Sequence, residues 1–359
     1  MRVLELYSGI GGIHYALQES GVESEVIAAV DINTIANSVY KHNFPNVLLM
    51  NRNIQSLSAQ MINEINIDTI LMSPPCQPYT RVGLQKDILD NRSCSLLYVL
   101  SLIPQIKALK YILLENVKGF EKSEMRNAVL QCISTCGFNY RELILSPCQF
   151  GIPNTRYRYY LLAKRKDLEF CFEHCALDFN LPKVALSVLP KSKHDLLVEK
   201  SCIQKSNANR NCYTLENIVE NVEETKYLIP RKLLQKRAWL LDIRTSQSDG
   251  SCCFTKAYSH YVEGTGSVYC PYSEETIKKA FLEASKYEKQ SLETLEVLEK
   301  LKLRYFTPKE VSRLMCFPEE FTFPENVTCK QKYRLLGNSV NVHVVSRLIF
   351  LLHTEKNIT

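Results

Sequence analysis

No stretch of this sequence reads as a membrane span. Its longest apolar runs, such as YILLEN and RLIFLLH, fall well short of the roughly 18 residues that crossing a bilayer takes. No secretory leader is expected either, since MRVLELYSGIGG passes from one arginine into a strand-like run and a glycine turn. There is no internal repeat and no low-complexity tract, which sets aside solenoids and disordered arrays. Cysteine is plentiful but lacks a framework spacing. All 14 scatter through the chain as in reduced intracellular proteins, so the sequons at Asn91, Asn326 and Asn357 carry no meaning. The expected compartment is the cytoplasm, with the nucleus open as a second. Cys171, His174 and Cys175 in CFEHC form the one local cluster resembling a metal site, yet no second pair stands at a suitable distance, and no metal is expected. A net charge of +6 permits a polyanionic partner without demanding one.

What is present is ordinary globular material, 45% hydrophobic and 23% charged over 359 residues, enough for one large domain and a smaller one. Up to about residue 165 short apolar runs alternate with amphipathic stretches, the pattern of a parallel sheet flanked by helices. Strands are expected at 2–7, 25–31, 47–50, 68–73, 110–116, 140–146 and 158–164, with helical spacing in GIHYALQESG, TIANSVYKHNF, SLLYVLSLIPQIKAL and SEMRNAVLQCISTCG. After residue 165 the rhythm breaks. Residues 166–330 read as a second domain containing a flexible loop near 190–213, a helix near 228–241 and a long helix in SEETIKKAFLEASKYEKQSLETLEVLEKL. Residues 331–359 regain a helix-and-sheet character and are assigned back to the first domain. The fold class is therefore α/β, a mostly parallel sheet with helices on both faces.

Three features carry chemistry. In LELYSGIGG a strand runs into Gly9, Gly11 and Gly12 ahead of a helix whose first N–H groups can meet a carboxylate or phosphate. His14 occupies the place of the last glycine of a dinucleotide fingerprint, so that fingerprint fails. Asp31 ends the second strand, about 20 residues beyond the turn, where an acid can hold a ribose diol. Together these fit a nucleoside-bearing cofactor without a pyrophosphate, and S-adenosylmethionine is the candidate. In SPPCQPYTRVG, Pro74, Pro75 and Pro78 stiffen the backbone on both sides of Cys76, which suits a nucleophile more than apolar filler. LLENVKGF then ends an apolar strand with Glu115 and Asn116 at the same edge of the sheet. A weaker signal is the basic run at 226–244, whose bland reading is a solvated helix face and whose functional reading is phosphate binding.

The ordered series SGIGG, SPPCQP, LLENVKGF, GIPNTRYRYYLLAK, FTPKEVSRLMCFP and RLLGNSVNVHVV resembles the cytosine-C5 methyltransferases along nearly the whole chain. CCFTKAYSHYVEGTGS at 252–267 resembles the signature of the small eukaryotic branch that methylates cytosine 38 in the anticodon loop of aspartate tRNA. Two positions depart. Asn154 stands where many bacterial members have Gln, though Asn is usual in the tRNA branch, and Ala257 stands where that branch more often has Gly.

The resemblance implies an S-adenosylmethionine-dependent, Rossmann-like methyltransferase fold with a target-recognition domain. It makes Cys76 the nucleophile on cytosine C6, Glu115 the acid at N3, and Arg156 and Arg158 the groups that orient the base. S-adenosyl-L-methionine, released as S-adenosyl-L-homocysteine, would sit against Ile10, Gly11 and Gly12. Asp31 would take the ribose, with Ile32, Asn53, Ile54 and Gln55 by the adenine, Ser73 and Pro75 near the sulfonium, and Asn338, Ser339 and Val340 closing the pocket. Lys226, Arg231, Lys232, Lys236 and Arg237, with Cys253, Phe254 and Thr255 of the signature, are assigned to substrate. The expected partner is tRNA, with weak DNA binding left open, no membrane, and a monomer as the expected state. A DNA cytosine methyltransferase, a nucleotide-dependent oxidoreductase and a non-catalytic RNA-binding protein are the rival readings.

Overall fold

The computed structural model describes residues 1–75, 93–173, 176–204, 211–222, 224–261 and 263–355. Seven strands form its main sheet: β1 (Arg2–Leu6), β2 (Glu25–Asp31), β3 (Leu48–Asn51), β4 (Thr69–Met72), β5 (Tyr111–Val117), β6 (Phe138–Leu145) and β7 (Arg158–Arg165). They lie in the order β3-β2-β1-β4-β5-β7-β6, parallel except for β7, which runs antiparallel to both β5 and β6. Every strand expected from the sequence is present, each within two or three residues of its expected bounds. Period-two alternation assigns the two faces. Val3, Leu71 and Leu113 pack into one core, while Leu4, Ile70, Ile112 and Leu114 pack into the other. Because both faces are covered, β5 is apolar almost without interruption, and only its end carries polar groups.

The helices α1 (Gly12–Ser20), α2 (Thr34–Asn43), α3 (Ala59–Glu64), α4 (Cys94–Leu102) and α5 (Glu124–Thr135) connect the first strands. Beyond β7 come α6 (Lys183–Val188), α7 (Lys193–Gln204) and α8 (Arg231–Arg237). A small three-stranded sheet follows, with β8 (Ile243–Arg244), β9 (Val268–Tyr269) and β10 (Arg304–Tyr305), interrupted by α9 (Glu274–Ala284) and α10 (Leu292–Glu299). The chain closes with α11 (Pro308–Leu314), α12 (Cys329–Asn338) and α13 (Val342–His353).

Two expectations need correction. Within the flexible loop expected near 190–213, Lys193–Gln204 form the helix α7, started by a reciprocal cap: Ser192 N donates to Asp195 Oδ2 at 2.7 Å, and Asp195 N donates to Ser192 Oγ at 3.2 Å. Residues 205–210 of that stretch lie outside the described residues. The single long helix expected after 273 is two, because Gln290 takes a left-handed φ of 72° and Ser291 starts α10 by accepting from Thr294 N at 3.2 Å.

The final helices return to the main sheet. α13 packs on α1, β5 and β7, and Asn341 caps it by accepting from Val344 N at 3.0 Å. The Cys329–His353 segment is long and apolar enough to cross a membrane, but 78% of its most apolar stretch is buried in the fold. It behaves as a core element.

One buried acid sits in β1. Glu5 is fully buried; Tyr40 Oη donates to its Oε2 at 2.8 Å, and His14 Nδ1 lies 2.8 Å from the same hydroxyl. Burial, against the bond from Tyr40, pushes the Glu5 carboxyl up to about 8, and burial pulls His14 down to about 4. A raised carboxyl means that the folded state prefers the proton. The contribution of Glu5 to stability is therefore full below its ordinary value and is lost as pH rises toward about 8. Glu5→Gln should gain on the parent protein by at most about 1.4 kcal/mol per pH unit between those limits. His14 acts in the opposite sense, but is common to both proteins. Urea unfolding of the pair from pH 5 to 8 measures the difference.

Candidate active site

The site begins where β1 stops. Tyr7, Gly9 and Gly11 take positive φ values of 57°, 54° and 85°, and this sharp turn delivers the chain into α1. Asp31, at the end of the neighbouring β2, holds the turn. Its Oδ2 accepts from Gly9 N at 2.9 Å and its Oδ1 from Asn33 N at 2.8 Å. A carboxylate has about four acceptor positions, so Asp31 can brace the turn and still receive a diol. Gly12 faces the far wall: a Cβ there would stand 2.7 Å from Ser339 Oγ and 3.0 Å from Val340 Cγ2. Gly11 is tied by conformation and by the Phe44 ring, which a Cβ would meet at 2.5 Å.

The reactive edge lies at the ends of β4 and β5, which are adjacent and parallel. Ser73 Oγ donates to Tyr7 O at 3.3 Å, and Asn116 Nδ2 donates to Pro74 O at 3.3 Å, so the chain leaving β4 is pinned to the glycine turn and to β5. Cys76 follows Pro75 in sequence and lies outside the described residues. Glu115 is buried, with Arg158 Nε 3.4 Å from its Oε1. Burial raises its carboxyl above the ordinary range, and the opposing pull of Arg158 and Arg156 does not cancel that.

Arg156 is buried and committed. Its Nη1 donates to Phe254 O at 2.9 Å, and its Nη2 donates to Gly337 O at 3.0 Å and Ser339 O at 2.6 Å. It thereby clamps the 252–255 segment to the 337–339 turn. Asn154 supports the same junction, donating to Ser251 Oγ at 3.1 Å and Cys252 O at 3.0 Å. Cys253 Sγ sits 3.4 Å from Arg156 Nη1; burial raises its thiol, but the charges and hydrogen bonds of Arg156 and Arg158 outweigh burial and hold it below its usual value.

These parts enclose one cleft of about 340 Å³. Of the residues assigned to the cofactor, Ile10, Gly12, Asp31, Ile32, Ser73, Pro75, Asn338, Ser339 and Val340 line it, together with Glu115, Arg156 and Arg158. Gly11, Asn53, Ile54 and Gln55 do not. Ile54 is core, and the Asn53 side chain is occupied in capping a short turn through Gln55 N at 3.0 Å. Phe254 is buried and Thr255 half-buried behind Arg156. The basic residues stand apart, exposed on and before α8. Arg231 pairs with Glu299 at 2.6 Å and Arg237 with Glu263 at 2.8 Å; Lys226 lies over the Tyr227 ring, and Lys232 and Lys236 have no ion pair among the described residues. His174 and Cys175 of the CFEHC cluster lie outside the described residues.

A model of the C-5 cytosine-specific DNA methylase family matches residues 1–351. The chain belongs to that family. A tRNA (cytosine(38)-C(5))-methyltransferase of Spodoptera frugiperda is 47% identical over 351 residues, covering 98% of each chain. A mouse protein of the same name is 42% identical over 388 residues, covering 98% of this chain and 93% of its own. The crystal structure of a Spodoptera frugiperda DNMT2 triple mutant is similar with a TM-score of 0.85 at 46% identity, covering 98% of this chain and 99% of that one. The sheet is accordingly that of an S-adenosylmethionine-dependent methyltransferase.

For a cytosine-C5 methylase the cleft also shows what residue patterns concealed. Tyr7, Ser8, Val117 and Leu335 line it, and only the left-handed φ of Tyr7 explains how a bulky residue follows β1 directly into the wall. Gly337 was legible as part of LGNS, but not its reason: a Cβ there would meet the Thr255–Lys256 peptide at 2.2–2.3 Å. Backbone cannot yield as a side-chain tip can. Gly337→Ala should therefore cost about 1–3 kcal/mol of stability through overpacking, read as a lowered urea midpoint at unchanged slope.

Proposed function

We propose that the chain methylates C5 of cytosine 38 in the anticodon loop of aspartate tRNA, using S-adenosyl-L-methionine. The observation that carries this reading is the meeting of the glycine turn, the Pro74–Pro75 edge and the Glu115–Arg158 pair in one cleft. The cleft fits the cofactor. Gly12 lines it without a side chain, Asp31 has acceptor capacity for a diol, and Ile32 presents an exposed apolar face at the rim. The relatives' names support the RNA substrate.

In the reaction, Cys76 adds as thiolate to C6 of the flipped base while Glu115 supplies the proton at N3, so electron density accumulates at C5. The bound cofactor supplies an electrophilic methyl group to that carbon. Arg158 holds Glu115 in place and faces the ring, and Arg156 fixes the wall opposite. Loss of the C5 proton to water then expels Cys76 as thiolate, and the N3 proton returns to Glu115. A buried, raised carboxyl suits the proton donor, since ionised Glu115 could only accept.

Cys76→Ala should abolish transfer to aspartate tRNA and retain cofactor binding; transfer that survives would overturn the covalent route. Glu115→Gln should lower kcat by roughly 10²- to 10⁴-fold with a smaller change in KM. Presenting tRNA and duplex DNA at the same salt tests the substrate, because salt alone shifts polyanion binding. Preference for the duplex would restore the DNA reading. On the α8 surface, replacing Lys232 and Lys236 by alanine should weaken tRNA binding and reduce its salt slope by about one for each phosphate no longer neutralised.

A further inference from the structure

Away from the cleft, three helices bring together Glu19 at the end of α1, His194 in α7 and His343 in α13. Each offers a ligand atom within 4.8 Å of the other two. His343 Nδ1 bonds to Glu19 Oε1, and its ring lies 4.4 Å from that of His194, which stacks at 16° on Tyr213. His194 is only 4% exposed, yet neither of its ring nitrogens has a hydrogen-bond partner among the described residues. A buried unpaired imidazole is costly, and a native fold rarely tolerates one without an ion or a water at hand. We infer that Glu19, His194 and His343 form a site for one divalent transition-metal ion of the zinc class.

The donor set is the kind zinc takes: two neutral imidazoles and a carboxylate, with a fourth position left to water. Burial, with His343, Lys193 and Arg347 nearby, keeps His194 in the neutral, ligating form. The charges facing the cluster are Glu19, Asp195, Lys193 and Arg347, and the chemistry has to accommodate the last. Arg347 Nε now donates to His343 Nε2 at 3.3 Å, while its Nη2 lies 3.7 Å from Asp195 Oδ2. On metal binding the His343 proton moves from Nδ1 to Nε2, with no net loss, and Arg347 releases the ring and turns wholly to Asp195. Glu19, whose Oε1 also accepts from Ser346 Oγ at 3.3 Å, has a partly exposed side chain that can open its contact with His343 to ligand spacing. A neighbouring cavity of about 510 Å³, lined in part by Asp195, His343 and Arg347, gives a path for entry.

The ion would staple α7 to the two helices that continue from the cofactor cleft, since α1 starts at the glycine turn and α13 follows Val340. The test uses the full chain stripped with a chelator, then titrated with Zn(II) alone by calorimetry and with Co(II) by absorption. One equivalent of Zn(II), a tetrahedral Co(II) band and a raised Tm are expected. Affinity should fall at least tenfold in His194→Phe, which keeps the ring on Tyr213, and in Glu19→Gln, which changes an accessible side chain if the first fails to fold. Absence of stoichiometric binding overturns the inference and leaves water on His194. Binding equally tight in both variants overturns it as well, since the metal then sits elsewhere.

Discussion

Arg156 holds the site together. A guanidinium taken out of water is expensive; here both Nη groups are spent on carbonyls of two segments about 80 residues apart, at Phe254 and at Gly337 and Ser339, while the buried Nε has no partner among the described residues. Burial pulls its pKa down, and the neighbouring Arg158 adds to the strain. Removing the side chain would leave three carbonyls without their donors and would loosen the cleft wall that Asn338, Ser339 and Val340 provide. The backbone approach at Gly337 belongs to the same joint: the clamp works only because no Cβ keeps the two segments apart.

That joint also explains the path of the chain. The strands and glycine turn come from the first 165 residues, but the opposite wall comes from α12 and the turn before α13, after an excursion of more than 150 residues. α13 closes the circuit by packing on α1, which itself starts from the glycine turn. Residues lining the cleft thus come from both ends of the sequence. The middle region meets that wall through the 252–255 segment that Arg156 grips.

How much of this was legible follows from range. Strands announce themselves by apolar runs, so all seven were readable, as were the turn at Gly9–Gly12 and the strand-end Glu115. The antiparallel placement of β7 was not, because order within a sheet is set by packing between distant elements. α7 was missed although Ser192 and Asp195 have capping-box spacing; the surrounding lysines, serines and prolines read as loop, and the burial of His194 and the packing of Val198 against the core are tertiary matters. The residue types of Arg156 and Asn154 were readable, whereas their use as clamps on backbone was not. For Asn53 and Gln55, the resemblance pointed to the adenine but did not disclose the turn in which the Asn53 side chain accepts from Gln55 N.

The charge balance of the cleft ties geometry to chemistry. Arg156 and Arg158 are cations in a partly dry wall, and Glu115 opposes them, with Arg158 Nε 3.4 Å from its Oε1. With Glu115 ionised the trio carries one positive charge; with Glu115 protonated it carries two. Burial favours the second state, so the wall is set to gain when negative charge develops on whatever occupies the cleft, without reorganising solvent. The same field draws Cys253 toward thiolate, a sign of its strength at a group outside the proposed bond changes. In the proposed reaction, a thiolate adding to the cytosine ring would place developing negative charge in such a field, with the proton of Glu115 to answer it. The cost of burying Arg156 beside the half-buried Arg158 belongs, in the proposed reaction, to the catalytic arrangement: a neutral wall of the same shape would fold with less strain and would favour developing negative charge less.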